Sequence, residues 1–349
     1  MKLEHKYSDG IFNKKIVIMG IEPPPLGGIA VHNTRVIAKF RSQSNLITFI
    51  DVIKETKARA KLGYLFYLIE IIIKSKPDIV YYHTLSLRKL PVELLVLVLF
   101  RLLFKYQLTL IDHTPRFFYG KSLFYKSVVS FLLRHIDKQV FIGDSTYKSY
   151  RENGIYISKN YSIESPYISP DFNKCDEIWS KYPQDLKNFI ARRSPIVLIN
   201  GSAARLVNGV DLYGFDMAIE MFNNLNHLGI RLGLIVVLAE IGDKDYFDQI
   251  YSKIKDNKDI YLLLGCNQEI WPIFARVDLF IRPTCSDAYG ISIQEALDMN
   301  AAVIASNVCQ RPEGTILFEM RNQNDLNKKA ETILRQISFK NNICHEYQN

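Results

Sequence analysis

The sequence predicts an α/β fold with two doubly wound parallel sheets, one in each half of the chain. Short apolar runs alternate with helix-length segments along the 349 residues, which is typical of parallel sheets covered by helices. A proline-containing, more polar segment interrupts this pattern at residues 166–194. We therefore divide the chain into an N-terminal domain (1–165), a linker region (166–194) and a C-terminal domain (195–349).

Composition and charge indicate a globular protein with anionic partners. Hydrophobic residues make up 48% of the chain and charged residues 23%, which is enough apolar content for two cores. The formal net charge of +8 favours a nucleotide, a nucleic acid or an anionic membrane face as partner. The basic residues are dispersed and no nucleic-acid-binding module is recognisable, so we expect no nucleic acid to bind.

The cysteines indicate reduced thiols. Five cysteines are scattered along the chain without a Cys-x-x-Cys pair and without a histidine at ligand spacing. We therefore expect neither disulfides nor a metal site, and no cofactor.

The apolar runs and the first residues indicate a cytoplasmic protein. The first fifteen residues are polar and charged and lack the apolar core of a signal peptide. The run at 92–104 is interrupted by Glu93 and Arg101 and is shorter than the roughly 20 apolar residues that a bilayer crossing needs.

The strands of the N-terminal domain place two histidines at strand ends. The predicted strands are 14–20, 46–50, 79–83, 107–111 and 139–143. Ligands of doubly wound sheets bind beyond the carboxyl ends of the strands, where His83 and His113 fall. A lone histidine is more often a hydrogen-bonded structural residue, so both interpretations stay open. His32 and Arg35 lie one turn into a predicted helix at 29–40 and face either a ligand or solvent.

A rigid loop joins the first strand to this helix. Three prolines precede the pair Gly27 and Gly28. Glycines allow a ligand to approach the backbone closely at a helix start, although such a pair often marks only a tight turn.

The C-terminal domain repeats the alternating pattern. Its predicted strands are 195–200, 232–238, 260–264, 278–282 and 302–306. The loop after the first strand contains Arg205, whose planar guanidinium suits a phosphate, although a single surface arginine is often only solvated. Arg311 either meets a phosphate or pairs with Glu313.

The stretch 277–318 gives the strongest indication of a binding site, because a strand, an acidic loop, a short helix and a strand follow without a gap. Asp287 precedes the helix and Glu295 lies in its first turns. The residues between them that start the helix are Gly290, Ile291 and Ser292. Unpaired N–H groups of a helix start form an anion cradle. Ser292 and Glu295 also fit a capping box that needs no ligand, so both interpretations stay open.

Two stretches resemble family 4 glycosyltransferases, whose GT-B fold has two Rossmann-like domains facing a cleft. One is the acid pair with seven residues between its members, followed by Glu-Ala-Leu and by RPEGT at 311–315; the other is the loop PPPLGGIAVH at 23–32. The resemblance implies that Asp287 contacts donor-sugar hydroxyls and Glu295 the nucleotide ribose.

The resemblance also assigns roles outside this stretch. It implies that His113 reaches the donor sugar, that the loop with Gly27 and Gly28 closes over the donor, and that Arg205 neutralises the diphosphate. Two positions depart from the family pattern: Asp287 replaces the usual Glu, and Asn208 stands before Gly209 where a Lys is expected.

By resemblance the protein is a retaining hexosyltransferase that needs no metal. The expected donor is a nucleoside diphosphate sugar, with UDP or GDP, and the expected acceptor is a glycan or polyprenyl-linked sugar in bacterial capsule or O-antigen biosynthesis. The alternatives are a nucleotide-sugar epimerase and a catalytically degenerate binding or assembly partner.

Basic residues beside aromatic and apolar segments in the N-terminal domain suit the anionic inner face of the plasma membrane. The alternative for these segments is a set of ordinary helices with solvated charge.

Overall fold

The computed structural model describes residues 10–23, 28–84, 86–113, 118–265, 268–287 and 289–346. Within these ranges the chain forms two compact units, the first ending at Ile168 and the second beginning at Ser169.

Unit 1 is a six-stranded parallel sheet in the order β2-β1-β3-β4-β5-β6. Its strands are β1 (Lys15–Gly20), β2 (Leu46–Asp51), β3 (Ile79–Thr84), β4 (Gln107–Asp112), β5 (Lys138–Ile142) and β6 (Tyr161–Glu164). Its helices are α1 (Gly28–Ser42), α2 (Val52–Ala58), α3 (Lys61–Ser75), α4 (Leu90–Phe104), α5 (Leu123–Leu133) and α6 (Asp144–Glu152).

Unit 2 has a second six-stranded parallel sheet, ordered β11-β10-β7-β12-β13-β14, and a separate antiparallel hairpin, β8-β9. Its strands are β7 (Ile196–Ala204), β8 (Leu206–Val207), β9 (Val210–Asp211), β10 (Gly233–Gly242), β11 (Ile260–Leu264), β12 (Leu279–Arg282), β13 (Ala302–Ser306) and β14 (Ile316–Phe318). Its helices are α7 (Cys175–Ser180), α8 (Gln184–Ala191), α9 (Phe215–His227), α10 (Lys244–Ile254), α11 (Trp271–Phe274), α12 (Ile291–Asp298) and α13 (Gln323–Glu346).

Each sheet is buried on both faces, which explains why its strands are continuous apolar runs. On β7, Val197 and Ile199 contribute to the core on one face of the sheet, whereas Ile196 and Leu198 contribute to the core on the other. The residues of β1 alternate in the same way between two cores of unit 1.

The predicted fold class of two parallel, doubly wound sheets is confirmed. The ten predicted strands form close to their predicted bounds, and the short strands β6, β8, β9 and β14 are additional. The predicted linker, 166–194, contains α7 and α8, and Leu186 and Phe189 of α8 are buried in the core of unit 2. The domain boundaries at 165 and 194 stay a prediction. No helix in the described part of the chain combines the length and apolarity that a membrane crossing requires.

Candidate functional site

The sheet of unit 2 changes direction between β7 and β12. The chain first adds β10 and β11 on one side of β7 and then returns to add β12 on the other side, with Ile281 opposite Ile199. Ligands of such sheets bind at this switch point, beyond the carboxyl ends of the two strands. Asn200 on β7 and Arg282 at the end of β12 lie there, and Arg282 Nη1 donates to Asn200 Oδ1 over 3.3 Å.

Asp287 lies between two arginines at this edge. Its Oδ2 accepts from Arg282 Nε and from Arg311 Nη1, each over 2.8 Å. Burial disfavours the charged form of the carboxyl, but the two guanidinium groups outweigh it and lower the pKa of Asp287 to about 2. The carboxylate is therefore ionised at neutral pH.

Arg311 is an anchor of the loop. Its side chain is only 1% exposed, and it uses all of its nitrogens on protein acceptors. Besides Asp287, it donates to the carbonyl and hydroxyl of Ser306, the hydroxyl of Thr284 and the carbonyl of Tyr289. The five donors of the guanidinium are thereby satisfied. The sequence left two alternatives for Arg311, a phosphate or an ion pair with Glu313. The side chain forms neither, because its partners are Asp287, Thr284, Tyr289 and Ser306.

Helix α12 begins directly beside this cluster. Gly290 is its N-cap with φ +86°, a conformation that favours glycine, and a Cβ there would lie 3.0 Å from Arg311 Nη1. Ser292 lies in the first turn of the helix and not at its N-cap, and no side chain caps this helix start. The capping box that the sequence allowed therefore does not form. Ile291 and Ser292 supply N–H groups of the kind that lack partners at a helix start, and Glu295 is buried one turn later.

Arg205 lies apart from this cluster in the chain, between β7 and the hairpin β8-β9. Its side chain is exposed, and its carbonyl accepts from the backbone N–H of Leu212 over 2.9 Å. Asn208 and Gly209 form the two-residue turn of the hairpin, with φ of 51° and 77°. Positive φ at both turn residues is the reason for an Asn-Gly sequence in such hairpins.

Three histidines lie close together at the switch point of unit 1. The switch point is between β1 and β3, because the chain adds β2 on one side of β1 and then β3 on the other. His83 ends β3 and His113 follows β4, and His83 Nδ1 lies 2.7 Å from His113 Nε2. One of these two nitrogens must carry the hydrogen and the other must accept it. The ring of His32, on α1, lies 4.8 Å from that of His113 between centroids. The structure thus brings His113 together with His83 and His32.

His32 and Arg35 are both buried, so the solvent-facing alternative does not hold for them. His32 Nδ1 lies 2.7 Å from the carbonyl oxygen of Pro166 and must donate, because a carbonyl only accepts. Arg35 Nη1 donates to the carbonyl of Ile168 over 2.7 Å. Gly28 is the first residue of α1, whereas Gly27 lies outside the described residues.

No protein-family model matches the sequence, and no curated protein matches it either. Solved structures do match. Anabaena Alr3699/HepE in complex with UDP-glucose has a TM-score of 0.67 at 16% identity, covering 92% of this chain and 89% of that one. WaaG, a glycosyltransferase involved in lipopolysaccharide biosynthesis, has a TM-score of 0.60 at 16% identity, covering 92% and 90%. A UDP-forming α,α-trehalose-phosphate synthase from Burkholderia vietnamiensis has a TM-score of 0.61 at 11% identity, covering 93% and 92%.

The chain has the GT-B fold. The fold that the resemblance implied is confirmed, and the likeness to family 4 glycosyltransferases is consistent with these neighbours. Each GT-B unit carries a buried polar cluster at the switch point of its own sheet.

The sequence analysis does not identify Arg282 as a member of the polar cluster in unit 2, because it falls there only as the last residue of a predicted strand. Its signal was present, because an arginine that ends an otherwise apolar strand at the carboxyl edge of a sheet is placed where ligands bind. Thr284 and Ser306, both fully buried, were also missed, and a single serine or threonine gives no such signal.

Proposed function

We propose that the protein transfers a hexosyl unit from a nucleoside diphosphate sugar to a glycan or lipid-linked sugar. The observation that carries the proposal is the cluster of Arg282, Asp287 and Arg311 beside the start of α12 and the buried Glu295. HepE, with a similar fold, is described in complex with UDP and with UDP-glucose, which supports UDP ahead of GDP as the donor base.

The arrangement suits the charge that develops on a departing diphosphate. Helix-start N–H groups at Ile291 and Ser292, together with an arginine, stabilise phosphate oxygens without reorganisation. Glu295 is the acceptor for ribose hydroxyls, and Asp287 is the acceptor for sugar hydroxyls. By resemblance the reaction retains anomeric configuration, and the leaving phosphate assists deprotonation of the acceptor.

The histidine cluster of unit 1 supports a second role in this reaction. By resemblance His113 is the residue that reaches the donor sugar, and its contact with His83 holds the orientation of its ring. Gly27 and Gly28 approach the donor in this proposal, and Arg205 faces its diphosphate.

Thermal stabilisation by UDP, GDP and their glucose and mannose conjugates tests the donor site. A ligand that binds only the folded protein raises the melting temperature, and Glu295→Ala should abolish the rise. Glu313→Gln, an exposed acid near the same loop, is the matched control and should keep the rise. Absence of a rise with every compound at millimolar concentration would contradict the donor site.

The two alternatives give different outcomes in a turnover assay. Conversion of the donor sugar by protein and donor alone would favour an epimerase. Binding without turnover on any lipid-linked acceptor from a bacterial membrane extract would favour a degenerate assembly partner. Transfer of labelled sugar into the lipid fraction is the result that the proposal expects, and it would support a place in bacterial capsule or O-antigen biosynthesis.

We further propose that unit 1 attaches to the inner face of the plasma membrane, where a polyprenyl-linked acceptor resides. Helices α3, α4 and α5 are neighbours, and each exposes large apolar side chains at helical spacing. These side chains are Leu62, Phe66 and Ile73 on α3; Val92, Leu95, Leu99, Leu102 and Leu103 on α4; and Leu123, Phe124 and Phe131 on α5. Exposed cations stand near the ends of these helices in the chain: Arg88 before α4, and Lys76, Lys105 and Arg134 directly after α3, α4 and α5; Lys57 lies on α2. Apolar side chains rimmed by cations suit anionic lipid headgroups.

Cosedimentation with phosphatidylglycerol vesicles tests this attachment. Leu123 and Phe124 are 82% and 79% exposed, so replacing both by Ser should weaken binding without loss of stability. Leu228→Ser is the control, since that side chain is half-exposed at the C-cap of α9 in unit 2 and does not belong to the apolar surface of unit 1. Wild-type protein that stays in the supernatant at moderate salt would contradict the attachment.

A further inference from the structure

The two arginines that hold Asp287 differ in how many donors they have left. Arg311 spends its five donors on four protein residues and is closed to a ligand. Arg282 donates only Nε to Asp287 and one Nη1 hydrogen to Asn200. Among the described residues, Nη2 and the second Nη1 hydrogen of Arg282 have no acceptor.

The guanidinium of Arg282 is also held in place on several sides. Asp287 fixes Nε, Asn200 fixes Nη1, and the ring of Tyr213 lies 5.8 Å from the guanidinium carbon. Tyr213 is in turn 2.6 Å from Ser202 through its hydroxyl. A fork held in this way keeps its remaining donors aimed in one direction, which lowers the entropy cost of binding.

The net charge around Arg282 is positive and therefore favours an anion. Two arginines and one carboxylate carry one net positive charge at the switch point between β7 and β12. Arg282 is 12% exposed at its side chain, whereas Arg311 is 1% exposed, so the accessible part of this charge is on Arg282. A diphosphate at the start of α12 would be the natural partner.

We propose that Arg282, held by Asp287 and Asn200, is the principal cation that binds the diphosphate of the donor. The inference rests on the proposed function and deepens it. It gives Asp287 a positioning role, because the carboxylate orients the arginine fork. It also accounts for Asn208: the hairpin turn uses an Asn-Gly pair with positive φ where a Lys was expected, and the missing charge comes from β12.

The test compares the binding of UDP and UMP to wild-type protein, Arg282→Gln and Arg282→Lys by calorimetry. Loss of charge-assisted hydrogen bonds to the second phosphate should weaken UDP binding by roughly tenfold or more in Arg282→Gln. UMP binding should weaken less, so that the ratio of UDP to UMP affinity falls. Arg282→Lys should restore part of the ratio, because it keeps the charge but not the fork.

Two controls separate this role from a structural one. Arg193 lies just before β7, at the opposite edge of the same sheet, and pairs with Asp259. Arg193→Gln should leave the ratio of UDP to UMP affinity unchanged. Arg205→Gln tests the exposed loop arginine and should change the ratio less than Arg282→Gln does. If Arg282→Gln lowers UDP and UMP affinity by the same factor, or lowers neither, the proposal is overturned.

The outcomes also distinguish this inference from the proposed function. Wild-type protein that binds UDP with an unchanged ratio in Arg282→Gln overturns the role of Arg282 alone. Wild-type protein that binds neither UDP nor any other nucleoside diphosphate overturns the donor site itself, and the role of Arg282 with it.

Discussion

Arg311 Nη1 and Arg282 Nε donate to the same oxygen of Asp287, each over 2.8 Å, so that one carboxylate is the shared counter-charge of two guanidinium groups. Asp287→Asn would leave both arginines without a counter-charge. Breaking a buried ion pair costs about 3 kcal/mol of folding free energy. We expect a loss of this size in urea unfolding, against a negligible change for Glu313→Gln, and equal midpoints for the two variants would contradict it.

The low pKa of Asp287 predicts how that loss depends on pH. The folded-state value of about 2 lies below the ordinary value of 3.8, so the carboxylate stabilises the folded state fully above about pH 3.8 and loses this contribution as pH falls toward 2. The difference in unfolding free energy between wild type and Asp287→Asn should therefore be constant from neutral pH to about pH 4 and shrink below it. A difference that already shrinks near pH 6 would show that another group titrates there.

The buried Glu93 on α4 should affect the pH dependence of stability in the opposite direction to Asp287. The side chain is buried and accepts from the Tyr82 hydroxyl over 2.5 Å, and burial raises the pKa of its carboxyl above the ordinary 4.5. A raised acid pKa means that the folded state loses stability as pH rises above 4.5. Glu93→Gln should melt at a higher temperature than wild type near pH 8, with less difference near pH 5.

The matched variant for Glu93 is Glu70→Gln, an exposed acid on α3 that pairs with Lys74. It should change the melting temperature little at either pH. A Glu93→Gln variant that is less stable than wild type near pH 8 would contradict the prediction.

Two glycines with the same backbone conformation separate strain from collision. Gly209 and Gly214 both have φ of +77°, but a Cβ on Gly209 meets nothing within 4 Å, whereas one on Gly214 would lie 2.5 Å from the carbonyl oxygen of Pro283. Gly209→Ala should cost only the left-handed backbone term, about 1 kcal/mol. Gly214→Ala should cost at least twice that and also weaken UDP binding, because Pro283 follows Arg282. Equal thermal shifts for the two variants would contradict this.

The contact between His83 and His113 predicts an effect on turnover. His83→Leu removes the partner of His113 Nε2 while keeping an apolar volume in the core. We expect roughly 10- to 100-fold lower kcat with little change in UDP affinity, since a misplaced group beside the reacting sugar costs up to about 100-fold. His135→Leu, at an exposed position beside Phe131, is the control, and an unchanged kcat in His83→Leu would contradict the prediction.

The sheets were predictable from the sequence because buried parallel strands are apolar on both faces, and β1, β3 and β13 therefore appear as unbroken runs. The short strands β6 and β14 were not predictable. β6 has 4 residues (YSIE) and β14 has 3 (ILF), so neither is long enough to show the apolar run or alternation that separates a strand from a loop.

The site was partly predictable for a similar reason. Asp287, Gly290 and Glu295 are close together in sequence, and their spacing is what indicates a binding site. Of the two partners that keep Asp287 ionised, Arg282 is close in sequence, at the end of β12. Arg311 comes from the turn after β13, and the pairing of β13 with β12 brings it to Asp287.

The turn after β13 has a consequence for engineering the chain. Arg311 ties that turn to the loop before α12 through Thr284, Asp287 and Tyr289. A chimera that exchanges residues 307–315 with another protein would therefore disorder the loop in front of α12 unless it kept an arginine at this position. In designs that alter sugar preference by loop exchange, the two loops have to be transplanted together.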